Sequence, residues 1–186
     1  MNNTSVNHPK EIEVKLVYTD RDKIINWLKR NGFRLASQKE IKDSYFNPNS
    51  STSMSNINSF YRIRDVVGVY TELTLKDKFQ EKNGIKTRRE INIKIDNAES
   101  MSTILSSLGC ILFKEHFSKR DVWEKDEVKF EFIDYYKPAA LSLIEVEGPD
   151  TDIIENIINA LGNMTKVADE NLFSSFDKPT KTADGG

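Results

Sequence analysis

Near its start the chain reads EIEVK, Glu11 to Lys15, and near its end IEVEG, Ile144 to Gly148. Alternate side chains of an extended strand share a face. Glu11, Glu13 and Lys15 therefore stand together in the first stretch, and Glu145 and Glu147 in the second. Paired carboxylates without histidine or thiolate beside them suit a hard divalent cation, Mg2+ or Mn2+. Between these stretches SFYRIRD sets Arg62 and Arg64 on a common face. TELTLK groups Glu72, Thr74 and Lys76, and TRREINIKI groups Arg88, Glu90, Asn92 and Lys94. Arginines at that spacing fork onto adjacent phosphate oxygens. Carboxylates that hold a metal on one wall, with arginine and lysine on another, match a bound metal–polyphosphate.

Composition narrows the setting. The chain has 186 residues, 30% charged and 38% hydrophobic, with a net charge of −2, which reads as one domain with a sizeable core. So balanced a charge argues against a nucleic-acid binder that relies on bulk positive charge, so any anion site must be local. The single cysteine, Cys110, excludes an internal disulfide and a cysteine-rich zinc site. No apolar run approaches the length of a membrane span, and MNNTSVNHP lacks the form of a signal peptide. The expectation is a cytoplasmic protein, a monomer or a homodimer, without membrane or nucleic-acid partners.

These side chains must be positioned by the elements around them. Residues 1–9 and 177–186 read as loose tails around a single domain at 10–176. Strands are expected near 10–18, 40–47, 58–66, 68–77, 86–95, 115–124, 127–135 and 140–148. KNG at 82–84 signals a hairpin, and NPNSSTSMSNINS a connecting loop. DKIINWLKRNG, NAESMSTILSSLG and DTDIIENIINALG read as amphipathic helices, with caps at Asn97 and at Asp150 or Thr151 and glycine stops at Gly32, Gly109 and Gly162. ADENLFSSF suggests a short fourth helix.

Opposite each charged face lies an apolar one: Ile12, Val14 and Leu16; Leu73 and Leu75; Ile91, Ile93 and Ile95; Ile144 and Val146. Helices packed on those apolar faces from outside would turn the charged faces inward as the sheet curls. The expected fold is α+β: an eight-stranded antiparallel closed β-barrel, or tunnel, with a charged lumen, clad outside by amphipathic helices. Closure also removes the edge strands. Buried charge is tolerated only when paired or ion-bound. The candidate lumen acids Glu11, Glu13, Glu72, Glu90, Asp134, Glu145 and Glu147 are balanced by Lys15, Arg62, Arg64, Lys76, Arg88, Lys94 and Arg120.

These motifs resemble CYTH domains, the triphosphate tunnel metalloenzymes. EIEVK resembles the ExExK signature. DSYF at 43–46, YRIR at 61–64, ELTLK at 72–76, TRRE at 87–90, ILSSLG at 104–109, KRDVW at 119–123, FID at 132–134 and IEVEG at 144–148 follow in order, over residues 11 to 176. DSYF, ILSSLG and EVEG are most similar to the class IV adenylyl cyclase-like branch. The resemblance implies divalent-metal dependence and a triphosphate-bearing substrate: inorganic triphosphate, ATP or thiamine triphosphate. It implies metal binding by Glu11, Glu13, Glu145 and Glu147, with Asp134 near the metal. It implies phosphate binding by Arg62, Arg64, Lys76, Arg88 and Arg120, and a signature lysine, Lys15, on phosphate or the attacking group. Glu11, Glu13 and Lys15 are thus the expected catalytic set, supported by Glu72, Glu90 and Lys94. Two positions depart from the pattern. Asn92 replaces the second acid of its strand, and Ser118 stands where a lysine is common, with His116, in phase with Arg120, as an alternative phosphate contact. The expected activity is triphosphate hydrolysis, with ATP cyclisation to cyclic AMP, or polyphosphate binding without catalysis, as alternatives.

Overall fold

The computed structural model describes residues 10–48, 59–169 and 172. In chain order it contains β1 (Lys10–Tyr18), α1 (Arg21–Arg30), β2 (Arg34–Asn47), β3 (Ser59–Val66), β4 (Tyr70–Asp77), β5 (Gln80–Lys82) and β6 (Ile85–Ile95). These are followed by α2 (Ala98–Ser107), β7 (Ile111–Lys125), β8 (Val128–Lys137), β9 (Leu141–Glu147), α3 (Thr151–Leu161), a 3-10 turn and β10 (Thr165–Val167). Every pairing is antiparallel. The order β1-β9-β8-β7-β2-β3-β4-β6 closes on itself where Lys10–Val14 pairs with Ile85–Arg89. The result is a closed eight-stranded barrel with three helices outside. The short strands β5 and β10, too brief to show a period in sequence, flank the β6–β1 seam.

Local chemistry explains where the helices begin and end. The side chains of Asp20, Asn97 and Asp150 accept from the backbone amides of Lys23, Ser100 and Ile153, each such cap contributing about 1 kcal/mol. At the end of α1 the Phe33 amide donates to Leu28 carbonyl at 3.0 Å and that of Gly32 to Lys29 at 3.2 Å. Gly32 sits at φ +84, a conformation that side-chain-bearing residues resist. In the KNG hairpin both Asn83 (φ 55) and Gly84 (φ 78) are left-handed, as a type I′ turn requires.

The helices cover the apolar outer face of the barrel. Val14, Leu16, Phe130, Phe132, Ile144 and Val146 from β1, β8 and β9 form one core with Ile24 and Leu28 of α1 and Ile154 and Leu161 of α3. Leu105 of α2 packs with Phe46, Ile63 and Cys110. Full burial of each such aliphatic or aromatic side chain contributes about 1.5–3 kcal/mol. Inside, the barrel is not polar throughout, because Ile133, Leu143 and Tyr135 make a small apolar cluster of their own.

β2 and β7 run well beyond the expected 40–47 and 115–124. They pair along most of their length, with bulges at Leu35/Ser37 and Tyr45/Phe46. Arg34, Leu35 and Ala36 are all exposed, so burial imposes no alternation there for a sequence reading to detect. Of the suggested fourth helix only Ala168, Asp169 and Leu172 belong to the described residues. The tails and residues 49–58 of the connecting loop lie outside them.

Candidate functional site

One wall of the tunnel is built by β1 with its neighbours β9 and β6. The register sets Glu13 opposite Glu147, Lys15 opposite Glu145 and Glu11 opposite Arg88. Lys15 Nζ lies 3.0 Å from Glu13 Oε1 and 2.7 Å from Glu145 Oε2. Arg88 donates from Nε to Glu11 at 2.8 Å and from Nη2 to Glu13 at 3.3 Å. Lys76 of β4 bridges Glu11, at 3.3 Å, and Glu90.

The facing wall is centred on Asp43 of β2, only 1% exposed. Arg64 forks onto it, Nε at 2.7 Å and Nη2 at 2.9 Å. Arg120 Nη2 approaches the same carboxylate at 3.3 Å, while its Nη1 donates to Glu131 Oε2 at 2.6 Å. Arg62 lies beside them, with Nη2 donating to Thr74 at 3.0 Å and standing 3.7 Å from Glu72. Lys129 links Glu131 to Glu147 and so joins the two walls.

Burial and pairing set the ionisation of these groups. Burial opposes the charge on Lys15, yet Glu13 and Glu145 more than offset it and hold its ammonium above the ordinary lysine range. Lys76 is shifted the other way. Burial, followed by Arg62 and Arg88, outweighs Glu11 and Glu90 and lowers its affinity for the proton. Burial would raise Asp43, but Arg64, Arg62 and Arg120 hold it well below the usual carboxylate range. Glu145 is likewise lowered against burial, by Lys15 and Arg120, and Glu131 by Arg120 and Lys129. Glu147 is raised, chiefly by burial and in part by Glu11 and Glu145 nearby. Carboxylates are therefore crowded at that end of the wall.

The structure brings Glu11, Glu13, Lys15, Arg62, Arg64, Glu72, Lys76, Arg88, Glu90, Arg120, Glu145 and Glu147 into these linked networks. Asp134 and Lys94 are the candidate lumen charges that stand outside them, and Asp134 faces the other way. It shares the strand parity of Phe130 and Phe132, which face the helices, and its carboxylate accepts from Arg21 of α1 at 2.7 Å and from Ser142 at 2.6 Å. It lies on the outer wall, and the inward acid of β8 is Glu131. Lys94 keeps the expected phase but is exposed, 5.9 Å from the Tyr70 ring centroid. Asn92 is exposed as well. His116 is buried with its ring against Tyr45 at 5.3 Å and Tyr135 at 5.2 Å. Ser118 faces inward and its Oγ accepts from Arg120 Nε at 3.3 Å, while Lys119 is exposed.

Among the described residues, the charged lumen groups Asp43, Glu131 and Lys129 escaped the sequence reading. For β8 the signal was present, since KFEF alternates Phe130 and Phe132 against Lys129 and Glu131. For Asp43 it was blurred, because both Ile41 in its own phase and Phe46 in the opposite phase are apolar and buried.

The family model of the CYTH domain matches residues 9–168. The chain belongs to the CYTH domain family. A Methanocaldococcus jannaschii protein named as a candidate adenylate cyclase is 31% identical over 145 residues, 78% of this chain and 80% of that one. Among solved structures, a Pyrococcus horikoshii protein superposes with a TM-score of 0.68 at 19% identity, over 84% of this chain and 94% of its own. A candidate adenylyl cyclase from Hippeastrum, described as having a dominant triphosphatase activity, gives 0.59 at 16% identity, over 89% and 94%. The two structures show a common fold.

A CYTH tunnel implies a divalent cation, and the donor chemistry here fits one. Glu11, Glu13 and Glu147 offer oxygens only, as Mg2+ or Mn2+ prefers, and the strand register sets Glu147 directly across from Glu13. Among the described residues no three such groups already converge as a ready-made metal site. Glu11, Glu13, Glu145 and Glu147 are each closed on a lysine or arginine. Binding a cation would therefore require these side chains to exchange partners. None of the helices among the described residues is long and apolar enough to cross a membrane.

Proposed function

We propose that this CYTH protein is a divalent-metal-dependent enzyme acting on a triphosphate inside the tunnel, and that its reaction is hydrolysis. The observation that carries the reading is the sorting of buried charge. Glu11, Glu13, Glu145 and Glu147 gather on one wall, with Lys15 and Arg88 among them, and Arg62, Arg64 and Arg120 on the facing one around Asp43 and Glu131. Charges this buried are tolerated because they are paired, and a metal ion on the acids with a triphosphate on the cations would preserve that balance.

In this mechanism Glu11, Glu13, Glu145 and Glu147 would hold Mg2+ or Mn2+, which would supply charge neutralisation at the phosphates and lower the cost of deprotonating the attacking water. Arg62, Arg64 and Arg120 meet phosphate oxygens with their charge and with the N–H groups that Asp43 and Glu131 leave free. Lys76 and Arg88, which meet at Glu11, stabilise charge that builds on the departing phosphate. Lys15, beside Glu13 and Glu145, acts as a cation toward the reacting phosphate. Water attacks the terminal phosphorus, the bond to the bridging oxygen breaks, and orthophosphate and pyrophosphate leave. The triphosphatase activity named for the Hippeastrum neighbour supports this choice.

A second reading is favoured by the name of the Methanocaldococcus relative. In it the same groups hold ATP, the 3′-hydroxyl attacks the α-phosphorus, and cyclic AMP forms with release of pyrophosphate. Phosphorus NMR of the protein with inorganic triphosphate and ATP together, in Mg2+ and then Mn2+, separates the two. Orthophosphate and pyrophosphate with ATP intact establish hydrolysis, whereas a cyclic AMP resonance with matching pyrophosphate overturns it. Line broadening without turnover in either metal leaves a polyphosphate-binding module.

A further inference from the structure

We propose that Asp43 is the positioning residue of the tunnel's arginines, a buried carboxylate hub that holds Arg62, Arg64 and Arg120 within the span of one phosphate group. The inference rests on the triphosphate reading above and deepens it. Arg64 commits Nε and Nη2 to the two Asp43 oxygens, at 2.7 and 2.9 Å. Arg120 meets Oδ2 at 3.3 Å and is anchored at its other end by Glu131 at 2.6 Å. Arg62 Nε stands 4.0 Å from Oδ1 and has no hydrogen-bond partner among the described residues.

Without an acid between them, these guanidiniums would repel one another strongly in so dry a setting. Strand register explains why Asp43 serves as the hub: it stands directly across from Arg64 on β3 and His116 on β7, and Arg120 reaches it from farther along β7. Glu131 holds the far end of Arg120 and Glu72 stands 3.7 Å from Arg62, so Asp43 is the one acid that all three guanidiniums share, and the Arg62 Nε is still able to donate. Tyr45, two residues on and against the His116 ring, carries a phenol held neutral by burial and by Asp43 itself, so it brings no competing charge.

Two physical roles predict opposite results for Asp43→Asn. If Asp43 merely weakened the local positive field, its loss would tighten anion binding. If it positions the arginines, its loss loosens binding even though the site becomes more positive.

The experiment is calorimetric titration of metal-free full-length protein with inorganic triphosphate at several salt concentrations. For Asp43→Asn the expected result is a Kd weakened about tenfold or more, unchanged stoichiometry and a shallower salt dependence. Arg64→Lys, which keeps the charge but loses the fork, should do the same. In Mg2+-supported turnover, Asp43→Asn should raise KM while kcat falls less than about threefold, a split that a smaller folded fraction would not produce. Binding by Asp43→Asn as tight as or tighter than wild type overturns the proposal. If that variant does not fold by circular dichroism, an unchanged Kd in Arg64→Lys overturns it instead. Failure of the wild-type protein itself to bind triphosphate would defeat the underlying reading, an outcome distinct from tight wild-type binding that is indifferent to Asp43.

Discussion

Glu11 accepts from Arg88 at 2.8 Å and lies 3.3 Å from Lys76, so two tunnel cations converge on it from different strands. Replacing it with Gln keeps the shape and removes the charge. Turnover should fall by about 10²–10³-fold with an unchanged circular dichroism spectrum; turnover within a few-fold of wild type would remove Glu11 from the proposed metal wall. Asp134 should behave in the opposite way. Its partners are Arg21 and Ser142 on the outer face, and its side chain is 38% exposed. Asp134→Asn should therefore cost at most about 1 kcal/mol and lower Tm by about 2–4 °C, with kcat/KM unaltered. A large loss of activity would mean that this carboxylate reaches the lumen. The two acids look alike in sequence, and strand parity separates them.

At the scale of elements, the helices hold the barrel by their apolar stripes. Leu28 is fully buried between α1 and the outer faces of β1 and β8. Leu28→Ala should cost about 2–5 kcal/mol, seen as a lower urea midpoint with little change in slope, and should leave KM intact in the folded fraction. Most elements were legible because their periods are locally dictated: period-2 strands with one helix-covered face, and amphipathic helices, two of them with caps readable at Asn97 and Asp150. The first half of β2 was not legible, since its exposed Arg34, Leu35 and Ala36 leave no alternation. Pairing with β7, far along the chain, makes it a strand.

For the whole molecule, closure turns the charged faces into one buried network, and that network sets the response to acid. Asp43, Glu131 and Glu145 are all held below their ordinary carboxylate values, despite burial, by nearby arginines and lysines. Groups lowered on folding stabilise the native state fully above the unfolded value, about 4, and progressively less as pH falls through the folded values. The urea midpoint should thus be flat near neutrality and drop as pH falls below about 4. Glu147 opposes this slightly, because its raised value favours the folded state only while it is protonated. A midpoint that is level down to pH about 2.5 would contradict the buried pairing.

The amino-acid sequence alone determined which faces of the strands are charged, which segments form amphipathic helices for the opposite, apolar faces, and the family motifs, because each of these follows from residues a few positions apart. Only the tertiary structure decided that Asp43 and Glu131 anchor the arginines, that Asp134 turns outward to Arg21, and which cation closes on which carboxylate. Those partners lie up to 113 residues apart. They are set by strand register and barrel closure, which bring distant positions to the same depth and which no local pattern of residues encodes.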